Sequence, residues 1–251
     1  MIRLESVTRS FRQDNRDVVA VRDVTLEIPA GETLCLIGAS GCGKTTTLKL
    51  VNRLLEPTAG RILVDGQDTA QMDPIRLRRR MGYVVQSGAL FPHLTVRANV
   101  GLLGRVEGWS RERTRERVDA LLSLVRLPPD RFGGRYPAEL SGGQAQRVGV
   151  ARALALDPEI LLLDEPFGAL DPVTRRQIQE EFLELEQEVR KTMILVTHDL
   201  AEAFLLGDRV ALMARGGVLQ VGTLEEYRTS PANDEVARFL ERHLEDHGAL
   251  A

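Results

Sequence analysis

At 251 residues the chain is long enough for one large α/β domain, or for one domain carrying a sizeable insertion. With 43% hydrophobic and 27% charged residues and a net charge of −3, it has the make-up of a soluble globular protein without global attraction for nucleic acid or anionic lipid. Cys35 and Cys42 are too few for a disulfide framework; the opening MIRLESVTRS has no apolar signal core and no run approaches ~18 apolar residues, so neither export nor a membrane span is expected.

MIRLESVTRSF and VRDVTLEIPAGE alternate apolar and polar residues, as half-buried strands do, with Asp17–Arg22 between them and a turn at Pro29–Glu32. TLCLIG (Thr33–Gly38) is a short apolar run ending in glycine and predicts a buried strand. TTTLKLVNRLL predicts a helix with Leu48, Val51, Leu54 and Leu55 on one face, and GRILVDGQD a strand and turn. Met81–Val85 is a further strand. From about Leu90 to Leu140 no strand signal occurs. RERTRERVDALLSLV predicts an amphipathic helix with Val118, Leu121, Leu122 and Val125 inward and Ser110 as its N-cap, so residues 90–140 read as a helical insertion. EILLLDEP and TMILVTHD are buried strands ending in polar residues, and DRVALMARGGVLQVG predicts a hairpin turning at Gly216–Gly217. Pro231–Gly248 predicts a short helical tail.

Gly38-Ala-Ser-Gly-Cys-Gly43-Lys44-Thr45 matches G-x4-G-K-[ST] between a predicted strand and a predicted helix. Its glycines let the backbone curl so that N–H groups through Ser40, Gly41, Cys42 and Gly43, and on to Thr46, face one phosphate-sized concavity. Lys44 reaches the β- and γ-phosphates, and the Thr45 hydroxyl is a Mg²⁺ ligand. Cys42, inside this loop, implies a reducing compartment. Acids at strand ends mark the ligand edge of a parallel sheet. There Asp164 holds the Mg²⁺ shell, and Glu165 orients or deprotonates an attacking water; the plainer alternative is that Glu165 caps the turn at Pro166. Gln86 is within reach of Mg²⁺ and the water, and His198 of the γ-phosphate. Alone, each is more often a structural polar residue; their order along the chain favours the catalytic reading.

A second loop, LSGGQ at Leu140–Gln144, precedes a helix with Arg147 and Arg152 on its polar side and also suits an anion. The series GASGCGKTT, VVQ, LSGGQ, ILLLDEP, GALD and VTHD resembles that of an ATP-binding-cassette (ABC) ATPase in order and spacing, from Met1 to about Gly222. The resemblance implies an α/β fold: a P-loop NTPase core with an antiparallel β subdomain and an inserted helical subdomain. It assigns residues 1–222 to the ATP-binding domain and 223–251 to a short helical tail without CBS domains. It also accounts for two phosphate-type loops. In this family two cassettes pack head to tail, and the signature loop of one copy, here Ser141, Gly143 and Gln144, closes over the ATP held by the other. By the same resemblance Phe11 stacks on adenine, unless it is simply core, and Asp171 links the two sites across the dimer.

KLVNRLLEPTAGRILVDGQD, MDPIRLRRRMGYVVQ and ALFPHLTVRANV further resemble the ATPase subunits of osmoprotectant importers for quaternary amines such as glycine betaine, choline or carnitine. That reading implies ATP and Mg²⁺, a homodimer in the ATP-bound state, integral membrane permease subunits, an extracytoplasmic substrate-binding protein and no nucleic acid. It places the chain at the cytoplasmic face of the cell membrane. The alternatives are an importer of an amino acid or oxyanion, the motor of an exporter or lipid extractor, and a soluble cassette acting on ribosomes or DNA.

Overall fold

The first 28 residues form two long antiparallel strands, β1 (Ile2–Gln13) and β2 (Arg16–Ile28), paired from Ile2 opposite Ile28 out to Gln13 opposite Arg16. The computed structural model describes residues 1–13, 16–85, 89–168 and 170–245. Asp17–Arg22 is therefore strand and not a link: Val18, Val19 and Val21 are β-branched and find partners in Phe11, Ser10 and Arg9. Ile2, Leu4, Val7, Val21, Val24 and Ile28 bury one face of this ribbon. β3 (Thr33–Ile37) is buried along its whole length and leads through the glycine loop into α1 (Lys44–Val51). This helix ends four residues earlier than its apolar pattern predicts. Asn52 caps it, Arg53 turns left-handed (φ 53°), and the Arg53 guanidinium donates to the Thr69 and Met72 carbonyls at 2.8 Å each. Leu54 is consequently left 50% exposed instead of joining the helix face. β4 (Ala59–Val64) pairs with β1, β5 (Gln67–Asp68) pairs with β4, and α2 (Pro74–Arg79) follows.

The chain divides into two units, one comprising Met1–Leu77 and everything from Thr192 onward, the other Arg78–Lys191. In the second unit β6 (Met81–Val84) runs parallel to β7 (Ile160–Asp164), Met81 opposite Ile160 and Val84 opposite Leu163. Among the described residues between them, the regular elements are all helical: α3 (Val96–Val100), α4 (Leu102–Val106), α5 (Arg111–Leu124), α6 (Pro129–Phe132), a 3-10 turn at Pro137–Glu139, and α7 (Gly142–Ala153). Ser110 caps α5 by accepting the Arg113 N–H, and Val118, Leu121, Leu122 and Val125 are buried, as the 3.6-residue pattern predicts. The last helix of the unit, α8 (Pro172–Val189), packs along α7. The α7 arginines are not solvent-facing. Arg147 pairs with Glu181 of α8 at 2.7 Å, and Arg152 donates to the Ala89 carbonyl at 2.9 Å, burial holding its guanidinium below the usual pKa.

On its return to the first unit the chain adds β8 (Thr192–Val196) and, after α9 (Leu200–Leu206), β9 (Arg209–Ala214), both parallel to β3 on opposite sides. β10 (Gly217–Gly222) closes a hairpin on β9. Its tip is Arg215–Gly216, one residue earlier than predicted, because both residues take the positive φ (49° and 83°) that a two-residue primed turn demands. α10 (Leu224–Thr229) and α11 (Asp234–Glu245) end the described chain. Tyr227 of α10 is fully buried, its hydroxyl accepting the Leu212 N–H and donating toward the Gln220 carbonyl. Among the described residues no helix is long and apolar enough to cross a membrane.

Candidate functional site

The glycine loop is held open by backbone that other residues cannot copy. Gly38 (φ 140°) and Gly43 (φ 110°) both lie in the positive-φ region, and a Cβ on them would sit 2.1 Å from the Met213 carbonyl oxygen and 2.5 Å from that of Ala20. Gly41 also has positive φ (78°), but faces open space. The loop is braced from outside, the Gly216 N–H donating to the Cys42 carbonyl at 3.2 Å. Lys44 is only 6% exposed. Its ammonium donates to the Gly38 carbonyl at 2.6 Å and the Ala39 carbonyl at 3.1 Å, and lies 3.9 Å from the buried Cys42 sulfur. A desolvated cation held only by neutral acceptors is poised for an anion. α1 itself begins at Gly43 with no side-chain cap and no acid in its first turn, so the positive end of its dipole points into the loop uncompensated. Ser40 and Gly41 are exposed at the rim, and Thr45 and Thr46 half-buried at the base.

Strand register brings His198 to this loop's edge. Leu36 is opposite Val196, and the Thr197 N–H donates to the Leu36 carbonyl at 3.1 Å, so Gly38 and His198 leave the sheet at the same level. His198 is exposed, while its neighbour Asp199 caps α9. Phe11 is half-buried and cross-strand from Val18, two residues from the Ala20 carbonyl that abuts Gly43; the Arg9 guanidinium lies 4.7 Å over its ring.

In the second unit Asp164 closes β7 at 7% exposure and accepts the Tyr83 hydroxyl at 3.3 Å. Burial first, then the neighbouring carboxylate charge, pushes the Tyr83 phenol well above its usual pKa, so it stays a neutral donor. Glu165 follows in the left-handed region (φ 46°), a conformation costly for a residue with a Cβ, which turns it sharply out of the strand. Gln86 lies outside the described residues.

α7 starts at the signature loop. Ser141 is its N-cap in a closed capping box: its hydroxyl accepts the Gln144 N–H at 3.3 Å, and the Gln144 side-chain oxygen accepts the Ser141 N–H at 3.0 Å. Ser141 and Gly142 are exposed, whereas Gly143 is buried against Thr174, which a Cβ there would meet at 3.0 Å. Asp171 caps α8, accepting the Thr174 N–H at 3.1 Å; hydrogen bonding from Thr174, side chain first and then backbone, holds its carboxyl below the usual range.

Sequence reasoning missed two residues here. Tyr83 carries no functional signal in the strand pattern, although a phenol in a buried strand needs a polar partner. Asn99 is fully buried, and its side chain bonds Phe91 N–H and the Phe91, Leu94 and Thr95 carbonyls, fixing the segment that leads into the helices. An asparagine inside an otherwise apolar helical turn was the available signal.

The family profile described as ABC transporter matches residues 21–168. The chain belongs to this family. The glycine betaine/carnitine/choline transport ATP-binding protein OpuCA of Bacillus subtilis strain 168 is 48% identical over 240 residues, 96% of this chain and 62% of that protein. The glycine betaine uptake system ATP-binding protein YehX of Escherichia coli K12 is 46% identical over 242 residues, 96% of this chain and 77% of that one. The chain thus spans less than two thirds of the length of the Bacillus relative. Among solved structures, a dimeric post-hydrolysis ATP-binding cassette bound to ADP and Pi superposes with a TM-score of 0.80 at 35% identity, covering 89% of this chain and 99% of that one. The fold is that of an ABC ATPase cassette: an α/β P-loop core with an antiparallel sheet and inserted helices.

Proposed function

We propose that this cassette is the ATP-hydrolysing motor of an importer for quaternary-amine osmoprotectants of the glycine betaine, choline or carnitine type. The observation that carries the catalytic part is the uncapped N-terminus of α1 meeting a buried ammonium inside a loop that only glycines can form. In this reading Phe11 stacks on adenine, the Gly38–Thr46 loop cradles the phosphates, and Lys44 exchanges its carbonyl partners for the β- and γ-phosphates. Thr45, Asp164 and Gln86 hold Mg²⁺. Their hydroxyl, carboxylate and amide oxygens are the hard donors this ion takes, and among the described residues no cluster of three or more His, Cys, Asp or Glu competes as a self-contained metal cage. When bound, the ion offsets the phosphate charge. Tyr83 keeps the Asp164 carboxylate aimed, Glu165 activates the water and His198 contacts the γ-phosphate. Ser141, Gly143 and Gln144 complete the site of a second copy, and Asp171 relates one site to the other.

The same reading gives the chain membrane permease subunits as partners, at the cytoplasmic face of the membrane, and through them an extracytoplasmic binding protein. Part of Ser87–Val96, held by Asn99 with Phe91 42% exposed, is the surface proposed for the permease; Ser87 and Gly88, which open the segment, lie outside the described residues. Glu165→Gln tests the chemistry. It keeps the Cβ and the backbone strain but removes the base, so ATP affinity should persist while turnover falls ~10²–10⁴-fold. Turnover near that of the parent chain overturns the role of Glu165. Loss of labelled betaine, choline and carnitine uptake on gene deletion tests the substrate class; loss of amino-acid or oxyanion uptake instead would leave the motor and replace the cargo.

A further inference from the structure

Glu165 holds its left-handed backbone (φ 46°) just after β7, and the chain must then reach the start of α8 at Asp171. A strained conformation of this kind persists only where its surroundings fix it. Here the Gly168 N–H donates to the Glu165 carbonyl and the Leu170 N–H to the Phe167 carbonyl, each at 3.2 Å, so two turns overlap; Ala169 lies outside the described residues. Phe167 is 1% exposed and meets the Phe182 ring of α8 edge-on, with centroids 5.7 Å apart. Arg175, one turn into α8, reaches back over the same segment. Its Nε donates to the Phe167 carbonyl at 3.3 Å and a terminal nitrogen to the Leu170 carbonyl at 3.2 Å. Among the described residues Arg175 forms no ion pair, although acids follow it on α8: Glu180 pairs with Arg176 and Glu181 with Arg147.

A guanidinium that leaves nearby carboxylates to other arginines and spends its fork on two backbone carbonyls fixes the shape of the chain between them. That segment also carries the Glu165 side chain. A Cβ built on Gly168 would stand 3.4 Å from the Glu165 Oε2, so the carboxylate lies along the turn and moves with it. We infer that Arg175 is a positioning residue for hydrolysis, acting through the Phe167 and Leu170 carbonyls to hold the Glu165 carboxylate against its water. The inference rests on the reading of Glu165 as the base. Since Arg175 sits one turn beyond the Asp171 cap, it also ties the placement of Glu165 to the first turn of α8. Asp171, read as the link between the two sites of a dimer, is thereby fixed relative to the base of its own chain.

Arg175→Met keeps most of the stem and removes both donors. Displacing a reacting group by about 1 Å costs on the order of 100-fold, so single-turnover hydrolysis should fall by about that factor. The ATP dissociation constant, measured by calorimetry, should stay within about twofold, because the phosphate loop is untouched. Arg175→Lys retains a donor without the fork and should recover part of the rate, to within about tenfold of the parent chain. In a Glu165→Gln background the slow residual hydrolysis should be the same with Arg or Met at 175, since no base is left to position. Full turnover in Arg175→Met, an equal loss in both backgrounds, or ATP binding and urea midpoint falling together with the rate would overturn the role. Should Arg175→Met fail to fold, Arg175→Lys carries the same comparison. Turnover that survives Glu165→Gln alone would instead remove the base, a failure seen before Arg175 is changed.

Discussion

Two helices in this cassette begin at a glycine-rich loop, and they begin in opposite ways. α1 starts at Gly43 with no side-chain cap, on a backbone of positive-φ glycines wedged against the Met213 and Ala20 carbonyls, and with Lys44 buried at its first residue. α7 starts at Ser141 with its capping box closed on Gln144 and with Ser141 and Gly142 exposed. The first loop is shaped for an anion and electrostatically incomplete without one. The second is complete by itself, with only the Gly142 and Gly143 N–H groups standing outside both the helix ladder and the cap. A loop that folds without its ligand suits a ligand delivered by another molecule, which is how the head-to-tail reading uses it. On the proposed function, the difference between the two ends is the difference between holding a nucleotide and meeting one.

The most direct way to break that contrast is to give the first loop a side chain. Gly43→Ala adds a Cβ 2.5 Å from a backbone oxygen at φ 110°, and strain on the order of 3 kcal/mol should cost about 100-fold in ATP affinity by calorimetry. Gly41→Ala meets nothing within 4 Å and bears only the left-handed penalty of about 1–2 kcal/mol. Equal losses in the two variants would mean the loop is not shaped by these contacts. The second test addresses delivery. Lys44→Ala and Ser141→Arg should each lower turnover on the order of 100-fold alone. Mixed, they form dimers in which one site carries both lesions and the other neither, so turnover should partly return. Mixed dimers that form and stay inactive would refute the trans arrangement.

How much of this was readable beforehand depended on whether the signal was local. The glycine loop between strand and helix, Ser110 as a cap, and the buried strands at Thr33 and Ile160 follow from spacing and polarity within a few residues, and were legible. The helix after Lys44 was overextended because Leu54 and Leu55 kept the apolar period while Arg53, whose side chain answers to Thr69 and Met72, ended it. Asp17–Arg22 was misplaced because its reason for being strand is the pairing with Arg9 to Arg12. Tyr83 went unnoticed since its partner, Asp164, is 81 residues away. Long-range partners, not weak propensities, account for each of these misses.

A smaller effect sharpens the account of α7. If Ser141 is first a cap, Ser141→Ala should destabilise the chain by about 1 kcal/mol in urea unfolding and leave ATP binding by the separate chain untouched. A variant as stable as its parent would mean the capping box contributes nothing and the serine serves the partner alone.

The smallest expected effect separates the caps of α7 and α8. Both N-caps accept an N–H three residues on, but Ser141 cannot titrate and Asp171 can. Thr174 holds the Asp171 carboxyl below its ordinary pKa, so the native state favours the charged form. The sign follows: this contribution is fully present above the unfolded value of about 3.9 and is lost as pH falls through the lower folded value. Asparagine caps nearly as well as aspartate but carries no charge. Asp171→Asn should therefore be slightly less stable than the parent chain at neutral pH, and the gap should close as pH drops below about 4. The Ser141→Ala gap should not change over the same range. Urea midpoints of the three chains, measured side by side from neutral to acid pH, decide it: an Asp171→Asn gap that persists in acid would show that the carboxylate's charge plays no part in starting α8.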